Sequence, residues 1–204
     1  IINNEWVISL QNGKKIKSKV LINASGPWIN DTLNKNIKIK SKNKIRLVKG
    51  SHIITKKLYK KDVAFTFQNT DKRIIFVIPY KKKFSLIGTT EVEVKSPENK
   101  EISKKEIQYL IRSVNNYLEK QISTKDIVDS YSGIRPLIED FNQASKVTRD
   151  YIFDLNIIKK LPLLSIYGGK LTTYRKLAEN VLLDLEKFLP KTKMGPWTHK
   201  KNLF

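Results

Sequence analysis

The sequence predicts an α+β chain with both mixed α/β and antiparallel-sheet portions. Three observations carry this: closely spaced strand-like runs over 45–93, a switch to helical period after Ser103, and a return to strands that ends in an amphipathic helix. Taken in order, "WVISLQNGKKIKSKVLINASG" reads as two strands about an Asn12-Gly13 turn, the pair that favours a hairpin. Pro27 and Trp28 open a helical segment through about Leu33, since proline is tolerated in a first helical turn. The Lys/Asn-rich stretch 34–44 marks a domain boundary. "IRLVKGSHIIT", "VAFTF", "RIIFVIPY" and "FSLIGTTEVEV" follow too closely for helical crossovers, which predicts an antiparallel sheet. Ser103 and Glu106 have capping-box spacing, and Ile107, Leu110, Ile111, Val114, Leu118 and Ile122 share a helical face that should pack on that sheet. "DIVDSYSGIRPLI", "SKVTRDYIFDL" and "PLLSIYGG" return to strand, and a last helix carries Leu171, Tyr174, Leu177, Val181, Leu185 and Phe188 as a core stripe.

Composition excludes several classes of function. With 204 residues and 40% apolar content the chain can bury one sizeable core or two small ones. The formal net charge of +21 has two readings: an anionic partner, or a general lysine bias spread over the chain in short runs. The absence of cysteine removes disulfides, thiolate metal sites and cysteine nucleophiles, so redox chemistry must come from a cofactor. No run approaches the ~20 apolar residues of a membrane span. The opening "IINNEWVISL" lacks both Met and the basic-then-apolar order of a signal peptide, so the chain is expected to be a piece of a longer one.

Four glycine-containing stretches, "NASGPW", "KGSH", "SGIRP" and "YGGKLTTYR", end apolar runs and read as turns that could converge on one pocket. In the last, two glycines, a lysine and two threonines precede a helix whose free N–H groups attract anions. Arg135 and Arg149 lie among β-branched and aromatic residues. They could clamp a phosphate or carboxylate, or pair internally, Arg135 with Glu139 or Asp140 and Arg149 with Asp150. His52 is one of two histidines, suited to general-base work or to a structural role. No Ser-His-Asp order, metal-ligand spacing, Walker loop, paired carboxylates or G-x-G-x-x-G is present. Nucleic-acid binding lacks aromatic platforms among the basic residues.

Together, "NASGPW", "IRLVKGSHI", "RIIFVIPY", "IGTTE", "SGIRPL", "VTRDY" and "GGKLTTYRKLAE", in order and spacing from about Leu21 to Thr198, resemble the FAD-dependent glycerol-3-phosphate dehydrogenases, within the D-amino-acid-oxidase-like flavoproteins. The resemblance implies a Rossmann-type FAD domain (1–40 and 131–204) interrupted by a substrate domain of antiparallel sheet plus helix (41–130). The family's N-terminal ADP-binding segment and C-terminal helical domain are missing, which makes this an internal fragment or one half of a split enzyme, expected to be inactive alone. The implied reaction oxidises glycerol 3-phosphate at C2 to dihydroxyacetone phosphate, with electrons passing to quinone, on a protein resting peripherally on the cytoplasmic face of the inner membrane. Arg135 and Arg149 match the family's phosphate-binding arginines, and His52 its active-site histidine. Ser25, Gly26, Gly133, Gly168, Gly169, Lys170, Thr172 and Thr173 match cofactor-binding positions. Lys170 is also implied in catalysis, stabilising negative charge on the reduced ring. Ser25 stands where the family more often has Thr or Ala, and Glu91 where it has Asp. Competing readings are a related flavoenzyme such as a glycerol-3-phosphate oxidase, and a cationic module on nucleic acid or anionic lipid, which salt dependence would separate from the dehydrogenase.

Overall fold

The computed structural model describes residues 1–138, 151–191 and 197–201. The chain divides into two compact units, Ile1–Ile45 with Pro136–Phe204, and Arg46–Arg135. The first unit begins with β1 (Trp6–Ser9) and β2 (Lys15–Ser18), an antiparallel hairpin in register Trp6↔Ser18 to Ser9↔Lys15. Gly13 supplies the positive φ (81°) that its turn requires. The second predicted strand is in fact two. The Ser18 hydroxyl donates to Val20 O at 2.6 Å and accepts from Val20 N at 3.3 Å, a local turn that competes with the ladder. Beyond it β3 (Leu21–Asn23) joins a different sheet. A 3₁₀ turn (Gly26–Trp28), α1 (Ile29–Asp31) and a π turn (Thr32–Ile37) then run past the expected end at Leu33. They close at Lys38, whose left-handed φ of 61° lets its N–H reach Leu33 O.

In the second unit, β4 (Ile45–Lys56) pairs antiparallel with β7 (Phe84–Gly88) and β8 (Val92–Val94), and β5 (Phe65–Gln68) and β6 (Ile74–Tyr80) extend the sheet as β5-β6-β7-β4. Register changes from His52↔Gly88 to Lys49↔Val92, so Thr89, Thr90 and Glu91 stand opposite two residues of β4. The run predicted as one strand therefore carries a bulge, a device that redirects side chains. α2 (Lys104–Asn115) starts at the predicted capping box, with both reciprocal bonds between Ser103 and Glu106 present. The helix stops at Asn115, short of the predicted Leu118 and Ile122. Asn115 exchanges two 2.9 Å bonds with the backbone of Ile122 and folds that residue back into the core. Leu110, Val114 and Ile122 are buried there against Ile53, Ile75, Val77 and Ile87. β9 (Ile127–Ile138) also pairs with β4.

The chain returns to the first unit with β10 (Tyr151–Ile158) and β11 (Leu161–Gly168), joined at Lys159-Lys160, both of positive φ as a tight hairpin turn demands. β11 is antiparallel to β10 and parallel to β3, giving the order β10-β11-β3. The two faces of β11 are both apolar, as a central strand requires. Leu161, Leu163 and Tyr167 pack with Trp6, Ile29 and Leu33, and Leu164 packs with Val181 and Leu185 of α3 (Tyr174–Leu185). Leu177 and Phe188 support the same cluster. Leu171 and Tyr174, predicted as part of that stripe, are instead exposed. Leu171 lies in a 3₁₀ turn (Leu171–Thr173), whose tighter period takes it off the α-helical face. No described helix is long and apolar enough to cross a membrane.

Candidate active site

Strand alternation divides the work of β4 between the two faces of its sheet. Ile53 faces the α2 core, while His52 and Gly50 face the opposite side, where Phe76 and Ile78 of β6 are exposed. Gly88 lies directly across from His52 in the ladder, and a Cβ on it would stand 2.1 Å from the imidazole Cδ2. The histidine ring thus occupies the space that a side chain on β7 would fill. Gly50 plays the same part for Arg135: a Cβ there would meet the Arg135 Nη2 at 2.6 Å and the Thr89 hydroxyl at 2.7 Å. "KGSH" and "SGIRP", read as turns in the sequence, are therefore strand interiors, and in the first the glycine marks close approach rather than a change of direction. Gly133, also within β9, is exposed, and a Cβ on it would meet nothing within 4 Å.

The period of two puts Tyr131, Gly133 and Arg135 on one face of β9. The Tyr131 ring stacks on His52 with centroids 4.8 Å apart and planes 9° from parallel. Arg135 Nη2 donates to the Thr89 hydroxyl at 3.4 Å, and Nη1 is 3.7 Å from a Glu91 carboxylate oxygen, so the bulge supplies the guanidinium with both contacts. Burial, reinforced by the positive charge of Arg135, lowers the His52 pKa from its ordinary 6.5. The imidazole is then neutral at pH 7. Its Nδ1 is buried with no hydrogen-bond partner among the described residues. Arg149, with Glu139, Asp140 and Asp150, lies outside the described residues.

Behind this face is a polar network of which the sequence announced only the Ser103–Glu106 capping box. Lys49 Nζ lies 2.9 Å from Glu106 Oε2, and each side chain is 5% exposed. Glu106 also accepts from Ser51 Oγ (2.7 Å), Thr90 Oγ1 (2.9 Å), Ser103 N (2.9 Å) and Ser103 Oγ (2.8 Å). Burial alone would raise its pKa; the bonds from Ser103, Ser51 and Lys49 outweigh it and bring the value from 4.5 to about 2. Ser132 donates to Ser51 at 2.7 Å, so β9 is tied to the residue between Gly50 and His52. Alternation was the available signal for the β4 part: Lys49 and Ser51 interleave with Gly50 and His52.

In the other unit, the parallel pair β3/β11 (Ser165↔Asn23) runs at its C-terminal end into two glycine turns. Gly26 (φ 56°), Gly168 (φ 78°) and Gly169 (φ 95°) are all in the left-handed region. Ser25 is engaged locally, donating to Asn23 Oδ1 at 2.6 Å and lying 3.0 Å from the Thr32 hydroxyl. Lys170 and Thr172 are exposed, and Thr173 donates its hydroxyl to Lys170 O at 3.2 Å. Lys170 is extended and precedes the 3₁₀ turn, so α3 itself begins only at Tyr174.

Substituting Gly88→Ala in the full-length protein should displace His52 and lower turnover about tenfold or more, with little change in secondary structure by circular dichroism. Unchanged turnover would show that the ring is not held there.

Residues 1–175 match the family described as FAD dependent oxidoreductase (DAO). The chain is 43% identical to the aerobic glycerol-3-phosphate dehydrogenase of Escherichia coli (strain K12) over 98% of its own length and 42% of that protein's. It is 39% identical to the D-erythritol 1-phosphate dehydrogenase of Brucella abortus (strain 2308), over 97% of this chain and 40% of that one. Its fold matches the crystal structure of the FAD-complexed glycerol-3-phosphate dehydrogenase from Bacillus halodurans with a TM-score of 0.69 and 29% identity, covering 85% of this chain and 33% of that one. The chain thus spans less than half the length of these relatives. With mixed α/β content, antiparallel sheets and a match over 175 residues, the chain belongs to the FAD-dependent oxidoreductase family.

Proposed function

We propose that this chain carries the substrate face and part of the cofactor-binding unit of an FAD-dependent dehydrogenase that oxidises sn-glycerol 3-phosphate to dihydroxyacetone phosphate. The observation that carries the reading is the paired seating of His52 over Gly88 and Arg135 over Gly50 on one face of a single sheet. A guanidinium suits a phosphate dianion, to which it can donate two parallel bonds. A neutral imidazole suits the C2 hydroxyl, whose proton it would accept as the C2 hydrogen leaves. Arg149 is assigned as the second phosphate ligand on sequence grounds. Identity to dehydrogenases of glycerol 3-phosphate and of a longer polyol phosphate supports the same substrate chemistry.

The positive-φ turns at Gly26 and Gly168-Gly169 suit a cofactor that approaches the backbone closely, and a Cβ on Gly26 would meet nothing within 4 Å. Ser25, Gly26, Gly168, Gly169, Lys170, Thr172 and Thr173 would hold FAD, with Lys170 offering a cation to developing negative charge. Gly133 leaves the same freedom of approach on β9. FAD, when bound, supplies the acceptor for the hydride from C2. We assign onward transfer to quinone, and place the protein peripherally on the inner face of the cytoplasmic membrane, where its +21 charge meets anionic lipid. Residues 1–204 alone are inferred to be inactive.

Full-length protein should reduce dye in the presence of glycerol 3-phosphate, with a quinone analogue preferred to oxygen as acceptor. kcat/KM should rise with pH through a limb below 6.5, because the lowered His52 pKa leaves the base form populated at lower pH than a free imidazole. A His52→Gln enzyme that keeps this limb would remove His52 from the base role.

A further inference from the structure

We propose that Tyr131 is a positioning residue of this site: its ring, stacked at 4.8 Å on the His52 imidazole, holds that imidazole flat over Gly88 and keeps water from its exposed side. The inference deepens the proposed function and rests on it. His52 stands between two surfaces of different kinds. Toward β7 lies the bare backbone of Gly88, which fixes how close the ring can come. Toward β9 lies an aromatic plane within 9° of parallel, which restricts tilt about the ring axis. Neither surface hydrogen-bonds the buried Nδ1, so packing alone orients the ring and leaves it little freedom to turn.

The same strand fixes the anion site relative to the base. Tyr131 and Arg135 are four residues apart on one face of β9, with Gly133 adding no side chain between them. The span is about 13 Å between their backbones, at roughly 3.3 Å per residue. The Ser132–Ser51 bond on the reverse face ties this stretch of β9 to β4 beside His52. The ring that orients the base and the cation that binds the anion therefore move as one piece. Among the described residues, the charged and titratable groups facing His52 are Arg135 and Tyr131 from β9, while β7 presents glycine. Burial raises the Tyr131 pKa, and Tyr80 adds a smaller rise.

Tyr131 is about half exposed, so replacing it leaves the core of the unit intact. The test compares full-length Tyr131→Phe, Tyr131→Leu and Tyr131→Met holoenzymes with the parent. It reads glycerol 3-phosphate kinetics across pH and, separately, the titration of the His52 imidazole by NMR, assigned with His52→Gln. Phe keeps the ring and should stay within about twofold of the parent, because the proposal uses the plane and not the hydroxyl. Leu and Met remove the plane and should lower kcat/KM about tenfold. They should also move both the acid limb and the NMR titration of His52 upward toward free imidazole, since water then reaches the ring. An unchanged His52 titration in Leu and Met would overturn the positioning role, as would a loss in Phe as deep as in Leu. A parent enzyme that ignores glycerol 3-phosphate would contradict the proposed function instead, and the NMR arm would still judge Tyr131.

Discussion

Replacing Arg135 with alanine in the full-length holoenzyme is expected to raise KM for glycerol 3-phosphate and lower kcat together, a loss of about a hundredfold or more in kcat/KM. On the proposed function the guanidinium would do more than attract the dianion: positioned above Gly50 beside Thr89 and Glu91, it would set where the phosphate stops, and hence where C2 lies relative to His52. Loss of anchoring alone would appear in KM; loss of orientation appears in kcat as well. Arg135→Lys should recover only part of the deficit, because an ammonium cannot reproduce the planar fork. Steady-state kinetics with glycerol 3-phosphate check this, and a defect confined to KM would assign Arg135 to uniform binding.

The second large effect concerns stability. Glu106→Ala should destabilise the protein by about 3–5 kcal/mol, because it leaves the buried Lys49 ammonium with the Glu101 carbonyl but no carboxylate to balance its charge. Three hydroxyls, those of Ser51, Thr90 and Ser103, lose their acceptor in the same change. The pH dependence has a definite sign. The folded-state pKa of about 2 lies below the ordinary 4.5, so the stabilisation is complete above about 4.5 and is lost as pH falls toward 2. Thermal unfolding of the parent should therefore show a Tm that declines over that interval, and Glu106→Gln should flatten the decline. A Glu106→Ala protein that melts with the parent would mean the network is not structural.

Periodicity made the main elements legible. The capping box at Ser103 and the Asn12-Gly13 hairpin are local devices, determined by residues within a few positions of one another, and each was read correctly. What periodicity does not encode is who sits across a ladder. "FSLIGTTEVEV" reads as one strand, but three residues face two at Thr89-Thr90-Glu91, a property of the pair β4/β7–β8 rather than of either run. The glycine of "KGSH" signals a turn as readily as a gap for a neighbour's side chain, and only the neighbour, Arg135, decides. His52 and Arg135 were picked out by residue type and by resemblance. Tyr131, Thr89 and the Lys49–Glu106 pair were not, because the contacts that matter to them run 46 to 79 positions along the sequence. The over-long stripe assigned to the last helix has a similar origin: Leu171 and Tyr174 keep helical spacing, but the sequence does not reveal that a 3₁₀ turn precedes α3.

The substrate claim is tested most directly by mixing full-length, FAD-loaded protein with glycerol 3-phosphate anaerobically, with no acceptor present, and following the flavin absorbance. Rapid bleaching with glycerol 3-phosphate, none with glycerol, and bleaching slowed at least tenfold in Arg135→Ala are the expected results. Bleaching that proceeds equally with glycerol, or that is indifferent to Arg135, would contradict the account.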